Sequence, residues 1–439
     1  MTEPQFTDKD RMLITKEGYG KKVWHVGTRS QPNDITIKGT HKDQYIGTVV
    51  KVVRGRDNVK GDDPSGLDAV VLKDDRTKTL RIIYQGSQGS WITGKDWADN
   101  DWPLFYSFLN PTGGQQMKGV GGVEPSPKFP PPQRPRPTPQ LVAAARLAKR
   151  VLRQYPQYRL EVYGHSLGSM DGQYALAALN KEEAARVRGA WLYEGPNISF
   201  LLNKKERNRA SRYGDRVRQY VDSKDVVPFG ASRMGMVGKI YHVDSRFQWR
   251  IDPFTHISDQ HMWGGYKWTN DGSVVMEQKT IDSIYQQSMD RVSRLHSRWT
   301  KTGKHLTSSQ TIYLDYQQVV VIVRTCDEQM DRFEYELKAT RERWAQSAED
   351  LWNRTISDIA NLSALHLSHG DIVDIATQEG YSKQRYIKQT TESLVACQHQ
   401  ASAIHKRMSS TGERINRGVN RLLEKDKRLA AQFRHWDTL

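Results

Sequence analysis

The sequence has little cysteine and no long apolar run. Cys326 and Cys397 are its only cysteines, too few for a disulfide framework, and they lack the spacing of a metal site. Apolar runs such as residues 319–323 fall far short of the roughly 18–20 residues that a bilayer-spanning helix needs. The polar N-terminus lacks the basic-then-apolar order of a signal peptide. These features predict a globular chain without disulfides, and no metal or cofactor is expected.

Proline and glycine are scarce in one part of the chain. All 17 prolines precede residue 276, and only five of the 33 glycines follow residue 275. Charge also divides there, with 42 basic and 29 acidic residues in 1–275 against 24 and 21 in 276–439. The net charge of +16 would by itself indicate nucleic acid or an anionic surface as partner. The composition predicts two domains, 1–275 and 276–439.

The first part has the pattern of an α/β fold. Short runs rich in β-branched residues, bounded by Gly, Asp or Lys, predict strands at 46–53, 67–72, 80–84, 158–163, 187–194, 216–221 and 239–243. Eight prolines within residues 125–139 predict a stiff surface connector, or a polyproline ligand for a partner. Thr138 and Pro139 then suit the N-cap and first position of a helix. Strands that alternate with helices predict an α/β domain.

One pentapeptide carries candidate chemistry. Gly164-His165-Ser166-Leu167-Gly168 matches G-x-S-x-G, with a predicted strand before it and a helical run over 170–179 after it. A sharp strand-to-helix turn of this kind exposes a nucleophilic serine hydroxyl, and the glycines remove the Cβ atoms that would clash. The alternative is a glycine-rich turn with a solvent-facing serine.

A serine nucleophile also needs a base, an orienting acid and an oxyanion hole. Asp222 and Asp225 both follow a predicted strand, so both qualify as the acid. His256 and His261 follow the next strand, but spacing alone does not choose among 13 histidines. The backbone N–H of Leu167, the residue after the serine, is expected to be one oxyanion donor.

Residues from about 65 to 275 resemble the bacterial members of the class 3 (fungal-type) lipase family of α/β-hydrolases. Residues 163–168 are similar to the family's elbow, with Ser169 where Gly or Ala is usual. Residues 225–228 resemble its D-x-V-P segment, which favours Asp225 over Asp222. His261 is followed by Tyr266 and a D-G turn, as the family's catalytic histidine is, whereas His256 fits badly. The resemblance implies a Ser166, Asp225 and His261 triad.

The resemblance also implies a second oxyanion donor and an activity. Residues 82–87 resemble the family's strand ending in F-R-G-T, so Ser87 would be that donor, and Gln85 replaces the arginine. Trp91 and Trp97 lie in a following aromatic loop, for core packing or substrate contact. Residues 200–202 are a possible lid or an ordinary surface excursion. The implied activity is a serine lipase or phospholipase A that cleaves lipid esters at a membrane surface.

The second part has the pattern of long helices. Two apolar series at seven-residue spacing predict helices that need partner helices; they run Tyr316, Val323, Met330, Leu337, Trp344, Leu351 and Leu394, Ala401, Met408, Ile415, Leu422, Leu429, Trp436. Gly370 and Gly380 suit the turn between the two. The partner is either the same chain, in an antiparallel bundle, or small helical proteins.

The whole layout resembles the lipase effectors of the type VII secretion system that carry the lipase first and an LXG-like helical domain last. This resemblance implies a bacterial protein secreted without a cleavable signal peptide, and small helical accessory proteins bound to 276–439. Phe433 and Asp437 are similar to an F-x-x-x-D export motif. The alternatives are an esterase or thioesterase for small esters, and a non-catalytic binding protein that uses its helices. Nucleic-acid binding rests on charge alone, without a reading helix, zinc site or aromatic platform, and is not expected.

Overall fold

The structure, a computed structural model, describes residues 6–55, 65–86, 136–225, 228, 236–247, 260–301, 305–362 and 367–425. The chain divides into two compact units, Met1–Val274 and Val275–Leu439. The predicted α/β character of the first unit and the helical character of the second are both present.

The first unit contains one mixed sheet whose strands lie side by side in chain order. Strands β1 to β4 pair antiparallel, and β4 to β8 pair parallel. The strands are β1 (Asp34–Lys38), β2 (Asp43–Val53), β3 (Ala69–Asp74), β4 (Thr79–Tyr84), β5 (Arg159–His165), β6 (Val187–Tyr193), β7 (Val217–Asp222) and β8 (Lys239–Val243). The seven strands predicted from the sequence correspond to β2–β8, and β1 is additional.

Helices cover both faces of this sheet. The described helices are α1 (Asp8–Glu17), α2 (Pro139–Gln154), α3 (Leu167–Ala178), α4 (Lys181–Ala185) and α5 (Lys204–Ala210). The apolar residues of α2 and α3 form one core with alternate strand residues such as Leu160 and Val162. Their neighbour Tyr163 instead meets α1, since Arg11 Nη1 donates to its hydroxyl at 3.1 Å. Successive strand residues point to opposite faces, so α1 covers the face opposite α2 and α3.

Helix α2 begins where the sequence predicts. The side chain of Thr138 accepts a hydrogen bond from the Leu141 N–H, and Pro139 occupies the first helical position. The segment 200–202 differs from an exposed lid. Leu201 and Leu202 are 7% and 4% exposed and belong to the core of the first unit.

The second unit consists of helices in its described residues: α6 (Gln278–Thr300), α7 (Ser308–Leu362), α8 (His369–Gln378) and α9 (Lys383–Lys425). The long helices α7 and α9 pack along each other, and Tyr316 on α7 donates to Asn416 Oδ1 on α9 at 2.6 Å. The expected simple turn between them contains the extra helix α8. Gly370 lies in its first turn, and Gly380 follows it with φ +82°. No helix in the described part of the chain is long and apolar enough to cross a membrane.

Candidate active site

Ser166 lies at a strained turn between β5 and α3. Its φ is +57° and its ψ is −125°, a left-handed region that is rare for residues other than glycine and that clusters at functional sites. The Ser166 N–H donates to the Tyr193 carbonyl at 2.9 Å, which fixes the turn to the end of β6. Ser166 is half-buried, whereas the residues on either side are buried. The turn therefore presents this serine to solvent.

The two glycines of the motif allow the close packing that this turn requires. A Cβ at Gly164 would lie 2.3 Å from the Gly168 carbonyl oxygen. A Cβ at Gly168 would lie 2.2 Å from the Tyr84 carbonyl oxygen at the end of β4. Both distances are shorter than any van der Waals contact, so a side chain at either position would push the elbow away from the sheet.

The exit of β4 lies against the elbow. A Cβ on Gly86 would be 3.2 Å from the Ser166 Cβ and 2.6 Å from the His165 carbonyl oxygen. Leu167 begins α3, and the first N–H groups of a helix have no acceptor within the helix. Ser87, the second predicted oxyanion donor, lies outside the described residues, as do Trp91, Trp97 and the rejected candidate His256.

The structure brings Asp225, rather than Asp222, to His261. The His261 Nδ1–H donates to Asp225 Oδ2 at 2.6 Å, and both side chains are buried. Asp222 has other partners, because it accepts hydrogen bonds from the Ser245 hydroxyl at 2.7 Å and from the Gln260 amide. The carboxylate of Asp222 thus holds the residue before the histidine, while that of Asp225 holds the imidazole itself.

His165 ties the elbow to the segment that carries His261. Its Nε2 lies 2.9 Å from the His261 carbonyl oxygen, which can only accept. Nε2 therefore bears the proton, and Nδ1 accepts a hydrogen bond from the Tyr19 hydroxyl at 2.8 Å. Burial, together with the charge of the nearby His261, lowers the pKa of His165 well below its ordinary value. The ring is thus neutral at pH 7 and acts as a fixed link.

The arrangement suits nucleophilic acyl transfer. The His165 and His261 ring centroids are 4.6 Å apart, so the base lies beside the residue that precedes the serine. An imidazole bound to a buried carboxylate, beside the residue that precedes a half-buried serine at a helix N-terminus, is the set of groups that such a reaction uses.

Three residues near the site were not predicted from the sequence. Trp263 has φ +63° and packs its ring against His165 at 4.1 Å. Tyr19 follows α1, in a segment that contains no motif. Glu194, at the end of β6, is buried with φ +48°. In the sequence, the one sign of a special role for Glu194 was its position at the end of a predicted strand, directly before Gly195.

No protein-family model matches the sequence, and no curated protein matches it. Solved structures that are similar to part of the chain include fungal lipases. A triacylglycerol lipase from Penicillium expansum has a TM-score of 0.32 at 16% identity over 63% of this chain and 85% of that one. A Rhizomucor miehei triacylglyceride lipase has a TM-score of 0.26 at 19% identity over 44% of this chain.

The chain spans 66% of the length of that Rhizomucor lipase, just under two thirds. A Rhizomucor miehei lipase propeptide complex gives 0.29 at 16% identity over 53% of this chain and 66% of that one.

Proposed function

We propose that the protein is a serine hydrolase of the α/β-hydrolase type that cleaves carboxylic esters of lipids. The observation that carries this proposal is the pairing of His261 with Asp225 beside the strained turn at Ser166. The proposed roles are nucleophile for Ser166, general base for His261 and orienting acid for Asp225.

In the proposed reaction, the Ser166 Oγ attacks the ester carbonyl carbon and its proton passes to His261 Nε2. Asp225 holds the Nδ1–H and stabilises the imidazolium that forms. The oxyanion accepts a hydrogen bond from the Leu167 N–H and, by the family resemblance, from Ser87. The carbon–oxygen bond to the alcohol breaks as His261 returns the proton to the leaving oxygen. Water then repeats the sequence on the acyl-enzyme and releases the carboxylic acid.

A basic cleft near the same edge of the sheet supports a lipid substrate. The cleft, of about 790 Å³, lies between α2 and the end of β2 and is lined by Lys51, Arg146 and Arg150 and by apolar residues that include Val53, Leu67, Val142 and Leu147. None of its three cations has a carboxylate partner within the described ranges.

Strands β2 and β4 run parallel to each other through β3, so the cleft is at the edge where β5 leads into Ser166. Such a surface suits anionic headgroups, each cation contributing about 1 kcal/mol. The net charge of +13 in residues 1–275 agrees with this use.

The experiment that tests the hydrolase compares the wild-type protein with Ser166→Ala on phospholipid, triglyceride and small-ester panels. A fluorophosphonate probe is expected to label the wild type and not Ser166→Ala. Ser211→Ala, in an exposed serine, is the matched control and should retain both labelling and turnover. Turnover by Ser166→Ala at the wild-type rate would contradict the proposal. Preference for short soluble esters or thioesters would favour the esterase alternative, and a wild type that is neither labelled nor active would favour a binding protein.

For the second unit we propose a role in binding small helical accessory proteins, with secretion through a type VII system. Four large apolar residues on α7, here called the α7 stripe, support it: Ile322, Phe333, Trp344 and Leu351 are 47–51% exposed. They are spaced 11, 11 and 7 residues apart, close to whole numbers of helical turns, so they share one face. The export motif predicted at Phe433 and Asp437 lies outside the described residues.

A further inference from the structure

Glu194 is a buried carboxyl group at the site that the proposed triad does not use. It directly follows β6, is 0% exposed, and has φ +48°. A left-handed backbone at a residue other than glycine costs free energy and persists where surrounding contacts hold it. Its backbone N–H donates to the Tyr220 carbonyl on β7 at 3.0 Å, which fixes the main chain at this point.

The carboxyl group of Glu194 joins two segments that are far apart in sequence. Both its oxygens accept from the Asp222 N–H, at 3.1 and 3.0 Å. Oε1 also accepts from the Tyr266 hydroxyl. Asp222 begins the turn that carries the acid, and the Asp225 N–H donates to its carbonyl at 3.1 Å. Tyr266 follows His261 by five residues, in the segment that carries the base.

We propose that Glu194 is a positioning residue that holds the turn of the acid and the segment of the base in register. The inference rests on the proposed function and adds to it a member outside the triad. Asp222 reinforces the same link, since its side chain accepts from the Gln260 amide next to His261. A change at Glu194 therefore alters the alignment of His261 toward Ser166 without a direct contact to substrate.

The electrostatic surroundings of Glu194 fit this role. Burial, and then the nearby Asp225 carboxylate, raise the pKa of Glu194 well above its ordinary value. The hydrogen bonds from the Asp222 N–H and the Tyr266 hydroxyl need an acceptor oxygen at this reach, which the side chain offers in either charge state. Position 194 thus requires a side chain as long as glutamate with an acceptor oxygen at its end, rather than a negative charge.

Three substitutions separate reach from charge. Glu194→Gln keeps the reach and an acceptor oxygen without an ionisable group, Glu194→Asp keeps the ionisable group but shortens it, and Glu194→Ala removes both. The concentration of competent Ser166 is titrated with a fluorophosphonate, and kcat and KM for a soluble ester are measured per titrated site. We expect Glu194→Gln to stay within about threefold of wild type, and Asp and Ala to lose about 100-fold in kcat with little change in KM.

Glu161→Gln is the matched control for a merely structural effect. Glu161 is another buried carboxylate, bound to Arg81 Nε at 2.9 Å at the other end of β5. Its substitution should lower the titratable fraction and the thermal stability while leaving kcat per titrated site unchanged.

The inference is overturned by wild-type kcat per titrated site in Glu194→Asp, or by Glu194→Gln as impaired as Glu194→Asp. These two variants decide even where Glu194→Ala does not fold. A wild type with no titratable serine would instead overturn the proposed function, and this inference with it.

Discussion

The two units of the chain treat charged and apolar side chains in opposite ways. The first buries charge inside its sheet, where Arg81 and Glu161 pair at 2.9 Å. The second leaves large apolar side chains at its surface, among them Phe333 and Trp344. A buried charge is stable only when it is fully paired, whereas an exposed apolar face gains free energy from a partner. The first unit thus has an interior with paired charges that can hold reacting groups in place. The second has a surface with large apolar side chains that nothing in the described chain covers.

The largest effect expected from this comparison concerns the two aspartates of the first unit. Asp225→Asn should reduce kcat by about 10³–10⁴-fold because the amide no longer fixes the productive imidazole tautomer. Asp222→Asn, the matched control, should cost much less because Asp222 contacts Gln260 and Ser245 rather than the imidazole. Steady-state kinetics on a soluble ester measures both, and equal losses would contradict the assigned roles.

The basic cleft gives the next effect. Arg146→Gln combined with Arg150→Gln should weaken binding to anionic vesicles about 30-fold, since each cation contributes about 1 kcal/mol. Hydrolysis of a soluble ester should not change. Vesicle co-sedimentation at two anionic lipid contents makes the measurement. Wild-type binding that does not depend on anionic lipid would refute this use of the cleft.

Substitutions in the α7 stripe test whether the second unit binds partners through its exposed apolar side chains. Phe333→Glu combined with Trp344→Glu should reduce co-purification of the proposed small helical accessory proteins by about tenfold or more, because burying an unpaired carboxylate is costly. Ester hydrolysis should stay within about twofold of wild type. The exposed substitution Gln346→Glu serves as a control for added charge. Unchanged co-purification of the stripe variant would separate the stripe from partner binding.

The smallest effect is on the pH dependence of stability. The pKa of His165 is lower in the folded chain than its ordinary 6.5. The unfolded state therefore binds the proton more readily, and stability present above about pH 6.5 is lost as the pH falls below it. Urea unfolding between pH 7 and 5 should show a steeper loss for wild type than for His165→Asn. Parallel curves for the two proteins would contradict a neutral, buried His165.

The sequence predicted those parts of the fold that local patterns specify. Strand β5, the turn at Ser166 and helix α3 follow from alternation, two glycines and a helical run within residues 158–179. The proline at position 139 likewise located the start of α2. The residues alone left Asp222 and Asp225 equivalent, because both follow the predicted strand 216–221 and the choice depends on how the chain turns back towards His261. The family resemblance favoured Asp225, and its carboxylate is the one at 2.6 Å from the imidazole.

Other features of the site depend on contacts between distant segments. Tyr19 reaches His165 from the segment after α1, which carries no motif, across 146 positions of sequence. In the sequence Glu194 is an ordinary glutamate at the end of a strand. Its distinguishing contact is with Tyr266, which lies 72 positions later. Helix α8 escaped prediction for a different reason. The stretch between Gly370 and Gly380 was interpreted as a turn, although Ser368 and Asp371 form a local capping box at the start of a helix.

Helix α7 also sets a length scale. It is a continuous helix of 55 residues, and at about 1.5 Å per residue it extends about 80 Å. From Ile322 to Leu351 the stripe alone covers about 44 Å by the same rise. A short peptide would leave most of the stripe exposed to water. A helical protein that covers the whole stripe would need about thirty residues of continuous helix, or two such proteins would have to bind end to end. Under the proposed role, the length of the stripe would therefore favour long helical partners over short ones.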